Sequence, residues 1–347
     1  MRHQGRCALL GVLLCAMGAN LIPGTAQSQL PTPGAVIGQA EDQVFRPGGR
    51  GHSLAPAGSP PQGSAQWPSP VLQLADTEHD LLIADLRNNR LYQFGYRNEE
   101  WRVVRSMYAS IGKAGYGKEV EGDNLTPVGI YTITSWLDGE RLPALYGDGA
   151  WPVDYPNKLD RLEGRTGYGI WLHGNPQRDE PGLRPPRSSE GCLTLTNPDL
   201  NSLKPFVDLG QTRVVFSDNV QWLTAQQRQA RKEAALERLQ EWQLAWESLD
   251  AEMLGEHYHP EARIGGLDRR AFVSQKHGVN SRKTWIALRL DQITILEYPG
   301  NLDRLLVEFE QDYRSNNYRS VTTKQQIWQK DQHGWSILLE DTISNAS

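Results

Sequence analysis

The middle of the chain carries two short apolar stretches, YGIWLHG at residues 168–174 and SEGCLTLTN at residues 189–197. Each is bounded by glycine or by small polar residues, which is typical of a β-strand next to a turn. Similar runs occur throughout residues 71–218, separated by long segments rich in Gly and Pro, and they begin at Leu81, Arg90, Trp101, Gly129, Gly169, Cys192 and Arg213. Because no strongly helical segment interrupts them, we predict a mainly β domain with long functional loops over residues 71–218.

The composition of the 347-residue chain sets its broad class. Its formal net charge is −5, 38% of its residues are hydrophobic and 22% are charged. The length suggests about two domains of ~150 residues each. The mild acidity and the lack of a basic block argue against a nucleic-acid partner. Collagen-like, coiled-coil and disulfide-rich classes are excluded on composition.

Residues 1–26 have the layout of a secretory signal peptide. Two arginines precede a mostly apolar stretch, and small residues at positions −3 and −1 suit cleavage after Ala26. A retained membrane anchor is the less favoured alternative, because the apolar stretch is short. Residues 27–70 are predicted to be a flexible tether, since 15 of the last 41 residues of this region are Gly or Pro. Such a segment has too few apolar side chains to order itself.

Cys192 is the only cysteine outside the predicted signal peptide, because Cys7 and Cys15 both lie within it. A single thiol in an exported protein cannot form an internal disulfide, so it is either a buried passenger or a reactive group. A reactive thiol needs a base to take its proton, and His173 ends the preceding strand-like run. Gly191 permits a tight turn that exposes backbone N–H groups to a developing oxyanion. The alternative interpretation is an inert cysteine and a structural histidine.

A different pattern begins at Thr224. From there to about Leu254 the chain contains no Pro or Gly, and apolar residues recur every three or four positions. This spacing predicts one amphipathic helix with Thr224 as its N-cap, and its apolar stripe consists of Leu239, Trp242, Trp246, Leu249 and Met253. Several strand-like runs follow. We therefore predict an α+β domain over residues 224–343, a cone in which a curved antiparallel sheet packs over the helix.

No metal, cofactor or nucleotide site is expected. His257 and His259 stand beside Glu256, but this group near the predicted helix end is assigned to a loop surface. No glycine-rich phosphate loop precedes a helix.

The two stretches around His173 and Cys192 resemble the signature of the YkuD family of L,D-transpeptidases. In that family His-Gly is followed, after a similar gap, by Ser/Thr-x-Gly-Cys. Residues 112–131 resemble its upstream Gly-Lys loop and its Gly-Asp…Thr-Pro-x-Gly-x-Tyr segment. The resemblance covers about residues 80–217 in consistent order. One departure is Glu190, where many members have His, and this departure bears on the choice of acceptor.

The resemblance implies a role for each residue of the motif. Cys192 would be the nucleophile and His173 the general base, with the imidazole oriented by the carbonyl of Gly174. Backbone N–H groups of Gly191 and Cys192 would form part of the oxyanion hole. The implied substrate contacts are Arg187, Ser189, Tyr168 and Trp171. Arg187 would bind a carboxylate, with a solvated loop charge as the alternative; for the two aromatic rings, packing is favoured over lining the groove.

The resemblance also implies an activity. Residues 151–157 and 184–187 resemble a branch of the family that carries a small nuclear-transport-factor-like cone and trims or edits peptidoglycan stem peptides in the periplasm, and residues 224–343 suit that cone. The implied enzyme attacks the L-centre of diaminopimelate in a tetrapeptide stem and forms a thioester acyl-enzyme. Water as acceptor would make it an L,D-carboxypeptidase, and an amine would make it an L,D-transpeptidase. The implied partners are stem peptides, with a wall-linked lipoprotein and a homodimer through the cone as further options.

Two other classes of protein remain as alternatives. The first is a wall-binding scaffold whose YkuD domain is catalytically inert, a reading that Glu190 favours. The second is a sortase-like peptidase, which also uses Cys and His on a β scaffold. The order of the motifs, with the Thr-Pro-x-Gly segment at residues 126–129 upstream, argues against it.

Overall fold

The computed structural model describes residues 67–75, 79–176 and 183–343. The predicted signal peptide and nearly all of the predicted tether lie outside the described residues. The elements up to residue 223 are β1 (Trp67–Pro68), β2 (Val71–Gln73), β3 (Leu81–Asp85), β4 (Arg90–Arg97), β5 (Glu100–Tyr108), β6 (Ile111–Gly112), β7 (Gly115–Tyr116), β8 (Leu125–Thr126), β9 (Gly129–Thr132), β10 (Leu137–Asp138), β11 (Gly149–Pro152), α1 (Lys158–Leu162), β12 (Trp171–His173), β13 (Arg187–Ser189), β14 (Leu193–Thr194), α2 (Asn197–Leu203), β15 (Arg213–Ser217) and β16 (Trp222–Leu223). Those that follow are α3 (Ala225–Glu247), α4 (Ala251–Glu256), β17 (Tyr258–Ile264), β18 (Leu267–Asp268), α5 (Arg269–Asn280), β19 (Ile286–Glu297), β20 (Arg304–Ser315), β21 (Arg319–Asp331) and β22 (Gly334–Ile343).

Two sheets build the catalytic domain. A five-stranded sheet has the order β5-β4-β3-β15-β9, and a four-stranded sheet has the order β10-β11-β12-β14. Between them lies a cluster of fully buried side chains, among them Leu82, Leu172, Leu193 and Phe216. This core fixes the short strands β12 and β14, whose ends carry the residues singled out by the sequence. The mainly β catalytic domain predicted from sequence is therefore present.

The second domain is an α+β cone, as the sequence predicts. Strands β17 to β22 form a mostly antiparallel sheet, and β2 adds to its far edge through β19. Helix α3 begins after Thr224, whose hydroxyl accepts a hydrogen bond from the Gln227 amide. Its side chains Leu239, Trp242 and Trp246 pack into the concave face of the sheet. Burial of such large apolar side chains stabilises the cone by about 1.5–3 kcal/mol each.

The helix does not run to Leu254 as the periodicity predicts. Helix α3 ends at Glu247, and Leu249 takes a left-handed backbone conformation with φ 66°. Asp250 then caps α4 by accepting hydrogen bonds from the amides of Glu252 and Met253. Met253, assigned to the apolar stripe, is 48% exposed. The cap residue Asp250 therefore starts a new helix, although the spacing of the apolar residues continues that of α3.

The boundary between tether and catalytic domain also differs from the sequence-based division. Trp67–Pro68 pair with β16, although they fall in the predicted tether. Residues 71–73 were placed in the catalytic domain, but they form β2 and pair with β19 of the cone sheet. The apolar side chains of Val71 and Leu72 are fully buried there. Their burial offsets the loss of conformational entropy on ordering the chain, whereas the Gly- and Pro-rich segment upstream has few apolar side chains to bury.

The two domains share an apolar cluster. It joins Ile83 and Val215 of the catalytic domain to Leu296, Leu306 and Ile327 of the cone. Ion pairs flank it: a guanidinium nitrogen of Arg213 lies 2.6 Å from a carboxylate oxygen of Glu308, and one of Arg304 lies 2.7 Å from a carboxylate oxygen of Glu163. In the described ranges, no helix is long and apolar enough to cross a membrane.

Candidate active site

His173 and Cys192 are brought together by two neighbouring parallel strands. Strand β12 pairs with β14 in the register Leu172↔Leu193 and His173↔Thr194. Cys192 immediately precedes β14, one position before the residue that faces Leu172. The two apolar runs of the sequence therefore lie side by side, with His173 at the C-terminal end of β12 beside Thr194 and Cys192 just before the N-terminal end of β14.

The imidazole of His173 is held at both of its ring nitrogens. Nδ1 lies 2.8 Å from the carbonyl oxygen of Gly174, and Nε2 lies 3.2 Å from the hydroxyl oxygen of Thr194. The ring of Tyr146 packs edge-on against the imidazole, with 5.1 Å between ring centroids. His173 is only 3% exposed. Burial lowers its pKa to about 4, the charge of Arg184 acts in the same direction, and the bond to Gly174 opposes them.

The thiol of Cys192 donates a hydrogen bond to the carbonyl oxygen of Gly169, 3.3 Å away. Burial raises the pKa of the thiol to about 11, and the carboxylate of Glu190 raises it further. A backbone hydrogen bond from Trp171 and the charges of Arg184 and Lys118 act in the opposite direction. Within the described part of the chain, no hydrogen bond joins this thiol to the imidazole of His173. The resting pair is therefore a neutral thiol and a neutral imidazole.

The turn before Cys192 depends on glycine. Gly191 has φ 127°, and a Cβ atom there would lie 2.8 Å from the carbonyl oxygen of Leu125. Ser189 is buried and closes the turn, because its hydroxyl donates to the Cys192 carbonyl at 2.6 Å and accepts from the Gly191 amide at 3.2 Å. These contacts turn the Ser189 hydroxyl into the loop, and its role as a substrate contact stays a prediction.

The two amides predicted to form the oxyanion hole differ in their hydrogen bonding. The Gly191 amide is already used by Ser189. The Cys192 amide has no hydrogen-bond partner among the residues that the structure describes. Of the two predicted donors, only the Cys192 amide is free to meet a developing negative charge.

The remaining predicted substrate contacts fall into two environments. Arg187 is exposed, and its guanidinium lies beside Gly115, the first residue of β7. Tyr168 is 64% exposed and precedes Gly169, the acceptor of the thiol hydrogen bond. Packing was favoured for this ring, and its exposure overturns that preference. Trp171 instead packs against Tyr146, with 4.8 Å between ring centroids.

Three residues of the site were not identified from the sequence. Thr194 and Tyr146 contact the imidazole directly, and the charge of Arg184 acts on both His173 and Cys192. Arg184 donates to the hydroxyl and carbonyl oxygens of Ser188, at 3.2 and 3.3 Å. The only sequence signal was for Thr194, since it follows Cys192 by two positions and alternate side chains of an extended chain share a face.

In residues 67–75, 79–176 and 183–343, no group of three or more His, Cys, Asp or Glu side chains could hold a metal ion. His259 is paired with Asp331 instead, with 3.9 Å between Nε2 and a carboxylate oxygen.

Comparison with known proteins assigns both domains. Residues 79–216 match the family of the YkuD L,D-transpeptidase catalytic domain, and residues 234–341 match the Cds6 C-terminal NTF2-like domain. No curated protein shows a significant sequence match.

Solved structures share the whole two-domain arrangement. Bd1075 of Bdellovibrio bacteriovorus is 26% identical with a TM-score of 0.71, and the match covers 81% of this chain and 99% of that one. The helical cell shape determining protein Pgp2 of Campylobacter jejuni is 26% identical with a TM-score of 0.62, over 79% of this chain and 95% of that one. The chain therefore carries a YkuD L,D-transpeptidase catalytic domain followed by a C-terminal NTF2-like domain.

Proposed function

We propose that this protein is a cysteine-dependent enzyme that modifies peptidoglycan stem peptides. The observation that carries the proposal is the placement of Cys192 and His173 on the adjacent parallel strands β14 and β12, Cys192 immediately before β14 and His173 at the end of β12, in a YkuD-type domain. Cys192 is partly exposed, and Arg187 and Tyr168 are exposed, so the site is accessible to an extended peptide.

In the proposed reaction, Cys192 attacks the carbonyl at the L-centre of diaminopimelate in a tetrapeptide stem. The thiol proton passes to Nε2 of His173, and the same proton is given to the departing amine of D-Ala. The carbonyl of Gly174 accepts from Nδ1 and stabilises the imidazolium that forms in between. The Cys192 amide donates to the oxyanion. A thioester remains, and water or an amine then resolves it.

Arg187 is proposed to bind a carboxylate of the stem through its planar guanidinium. Its side chain has no hydrogen bond or ion pair within the described residues, so the guanidinium is available to a ligand. Glu190 forms a long, exposed ion pair with Lys113 at 3.5 Å. Such a pair contributes little to stability, so the carboxylate is free to act on the acceptor.

A second candidate function follows from the resting state of the site. The thiol and imidazole are both neutral and are not hydrogen-bonded to each other. A wall-binding scaffold without catalysis would have the same appearance. A carbapenem separates the two, because it acylates an active YkuD-type thiol. A mass increase on Cys192 supports the enzyme, whereas no adduct together with intact muropeptide binding supports the scaffold.

The proposal extends to location and biological role. Export to the periplasm is supported by the sequence pattern of residues 1–26, and a role in cell shape by the likeness to Pgp2, whose name describes it as a cell shape determinant. Release of a wall-linked lipoprotein and a homodimer through the cone are extensions of this proposal. Each would be tested separately, with a lipoprotein-linked muropeptide and by light scattering.

The proposal is tested with purified tetrapeptide muropeptides and mass spectrometry of the products. The wild-type protein is expected to release D-Ala and leave a tripeptide, or to form a crosslink when an amine is supplied. Cys192→Ala and His173→Ala should lose the activity, whereas His277→Ala, an exposed histidine of the cone, should retain it. Undiminished turnover by Cys192→Ala would rule out the assigned nucleophile.

A further inference from the structure

The Thr194 hydroxyl occupies the ring nitrogen of His173 on which the proposed reaction depends. Its oxygen lies 3.2 Å from Nε2, and both residues are buried, with 2% and 3% of their surface exposed. Solvent therefore does not supply an alternative partner for either group. Any proton that reaches Nε2 must first displace or reorient this hydroxyl.

The hydrogen bond that Nδ1 makes fixes which partner donates in the bond between the Thr194 hydroxyl and Nε2. The Gly174 carbonyl can only accept, so Nδ1 must carry the hydrogen that binds it. In a neutral imidazole Nε2 then has a lone pair and no hydrogen. The Thr194 hydroxyl must consequently be the donor and Nε2 the acceptor.

Thr194 is fixed in place by its backbone. Its register partner on β12 is His173 itself. On the other side, the amide and carbonyl of Thr194 exchange hydrogen bonds with Ser110, both at 2.9 Å. The hydroxyl is thus presented to Nε2 by a backbone held from two sides, so the contact does not depend on a mobile loop.

Cys192 and Thr194 therefore require the same acceptor. Nε2 has a single lone pair, and in the resting protein the hydroxyl uses it while the thiol binds the Gly169 carbonyl. The other polar groups that act on the two partners are the Trp171 backbone, Arg184, Lys118, Glu190 and Tyr146. None of them is a neutral acceptor at hydrogen-bond distance from the thiol within the described residues.

We propose that Thr194 is a positioning residue whose hydroxyl holds Nε2 of His173 in the resting protein and so competes with the Cys192 thiol for the imidazole. Activation then has two parts. The thiol leaves the Gly169 carbonyl, and the hydroxyl gives up the Nε2 lone pair. The S–H bond breaks and an N–H bond forms at Nε2, which gives a thiolate and an imidazolium. The hydroxyl oxygen can then accept from the new N–H group.

This inference rests on the proposed roles of Cys192 and His173, but its test uses no wall substrate. The second-order rate of alkylation of Cys192 by iodoacetamide is measured at pH 7. Thr194→Val removes the hydroxyl and keeps the side-chain shape, so the thiol can bind Nε2. We expect a rise of about tenfold, which corresponds to a fall of about one unit in the thiol pKa. Thr194→Ser keeps the donor and is expected to match the wild type.

A rate for Thr194→Val at or below that of the wild type would overturn the proposal. If that variant does not fold, a second measurement on the wild-type protein still tests the proposal. The ¹⁵N chemical shifts of His173 in the wild-type protein are expected to report the neutral Nδ1–H tautomer at pH 7. An Nε2–H tautomer or an imidazolium would overturn the proposal. Failure of the proposed function alone would give a different outcome. The alkylation rates and the tautomer would be as expected, but the protein would form no muropeptide product.

Discussion

The candidate active site and the interior of the cone both bury polar groups, but the active-site groups are neutral whereas those of the cone are ionised. Burial of Glu340 works to raise its pKa, yet Lys324, Tyr258 and Gln326 together outweigh burial and the pKa is lowered. Tyr258 and Gln326 donate to one carboxylate oxygen at 2.7 and 2.8 Å, and Lys324 pairs with the other. In the catalytic site, burial prevails and favours the neutral forms of both partners.

The difference lies in the nearest partners rather than in the depth of burial. Glu340 has an ammonium group in direct contact, so its charge is retained. The imidazole of His173 contacts a carbonyl, a hydroxyl and an aromatic ring, and none of these carries a compensating charge. The ion pair of the cone is therefore present in the resting protein, whereas a thiolate–imidazolium pair of Cys192 and His173 would have to form during the proposed reaction.

Glu340→Gln is expected to have the largest effect, because it leaves the Lys324 ammonium buried without a counter-ion. Removal of one partner of such a pair costs about 3–5 kcal/mol. The free energy of unfolding, measured by urea denaturation, should fall by that amount. Asp291→Asn is the matched control, since its ion pair with Arg289 is exposed and should change the value by less than about 0.5 kcal/mol. A loss below about 1 kcal/mol for Glu340→Gln would contradict the comparison.

Gly191→Ala tests how far the neutral site depends on its turn. The residue has φ 127°, and a Cβ atom would meet the Leu125 carbonyl oxygen. We expect a loss of about 2–3 kcal/mol in stability and loss of muropeptide turnover. Gly210→Ala is the control, because Gly210 has φ 78° and nothing within 4 Å of a Cβ atom, so only about 1–2 kcal/mol is expected. Equal losses would show that the close approach is unimportant.

Ser189→Ala should have a smaller effect. It removes the hydrogen bond to the Cys192 carbonyl and the acceptor of the Gly191 amide. The expected loss is about 1–2 kcal/mol in unfolding free energy, with a fall in kcat that exceeds any change in KM. The comparison variant is Ser281→Ala, whose hydrogen bond to the Gly278 carbonyl is exposed. A rise in KM with unchanged kcat would instead identify Ser189 as a substrate contact.

The parts of the fold that the sequence predicted are those governed by local patterns. The Thr224 cap and the apolar spacing of Leu239, Trp242 and Trp246 are read within one helix, and all of them lie where expected. The end of helix α3 was predicted too late in the chain because Leu249 adopts its left-handed conformation although no Gly or Pro occurs there. Asp250, a typical N-cap residue inside the predicted helix, is the sequence feature that indicates a second helix.

The site was predictable only in its motif. Cys192, His173 and Gly191 stand in a recognisable order, whereas other contacts of the site come from distant segments. Tyr146 lies 27 residues before His173, and its carbonyl accepts from the Gly174 amide while its ring packs on the imidazole. The use of the Gly191 amide by Ser189 depends on a side-chain rotamer, which a sequence does not specify.

The pH dependence of Cys192 alkylation tests the neutral resting site most directly. The alkylation rate follows the thiolate, which forms as pH rises through the pKa of the thiol. With a pKa raised to about 11, the rate should increase about tenfold per pH unit from pH 7 to pH 10, without a plateau. A plateau that begins near neutral pH, lost in His173→Ala, would reveal a preformed thiolate–imidazolium pair and contradict the account.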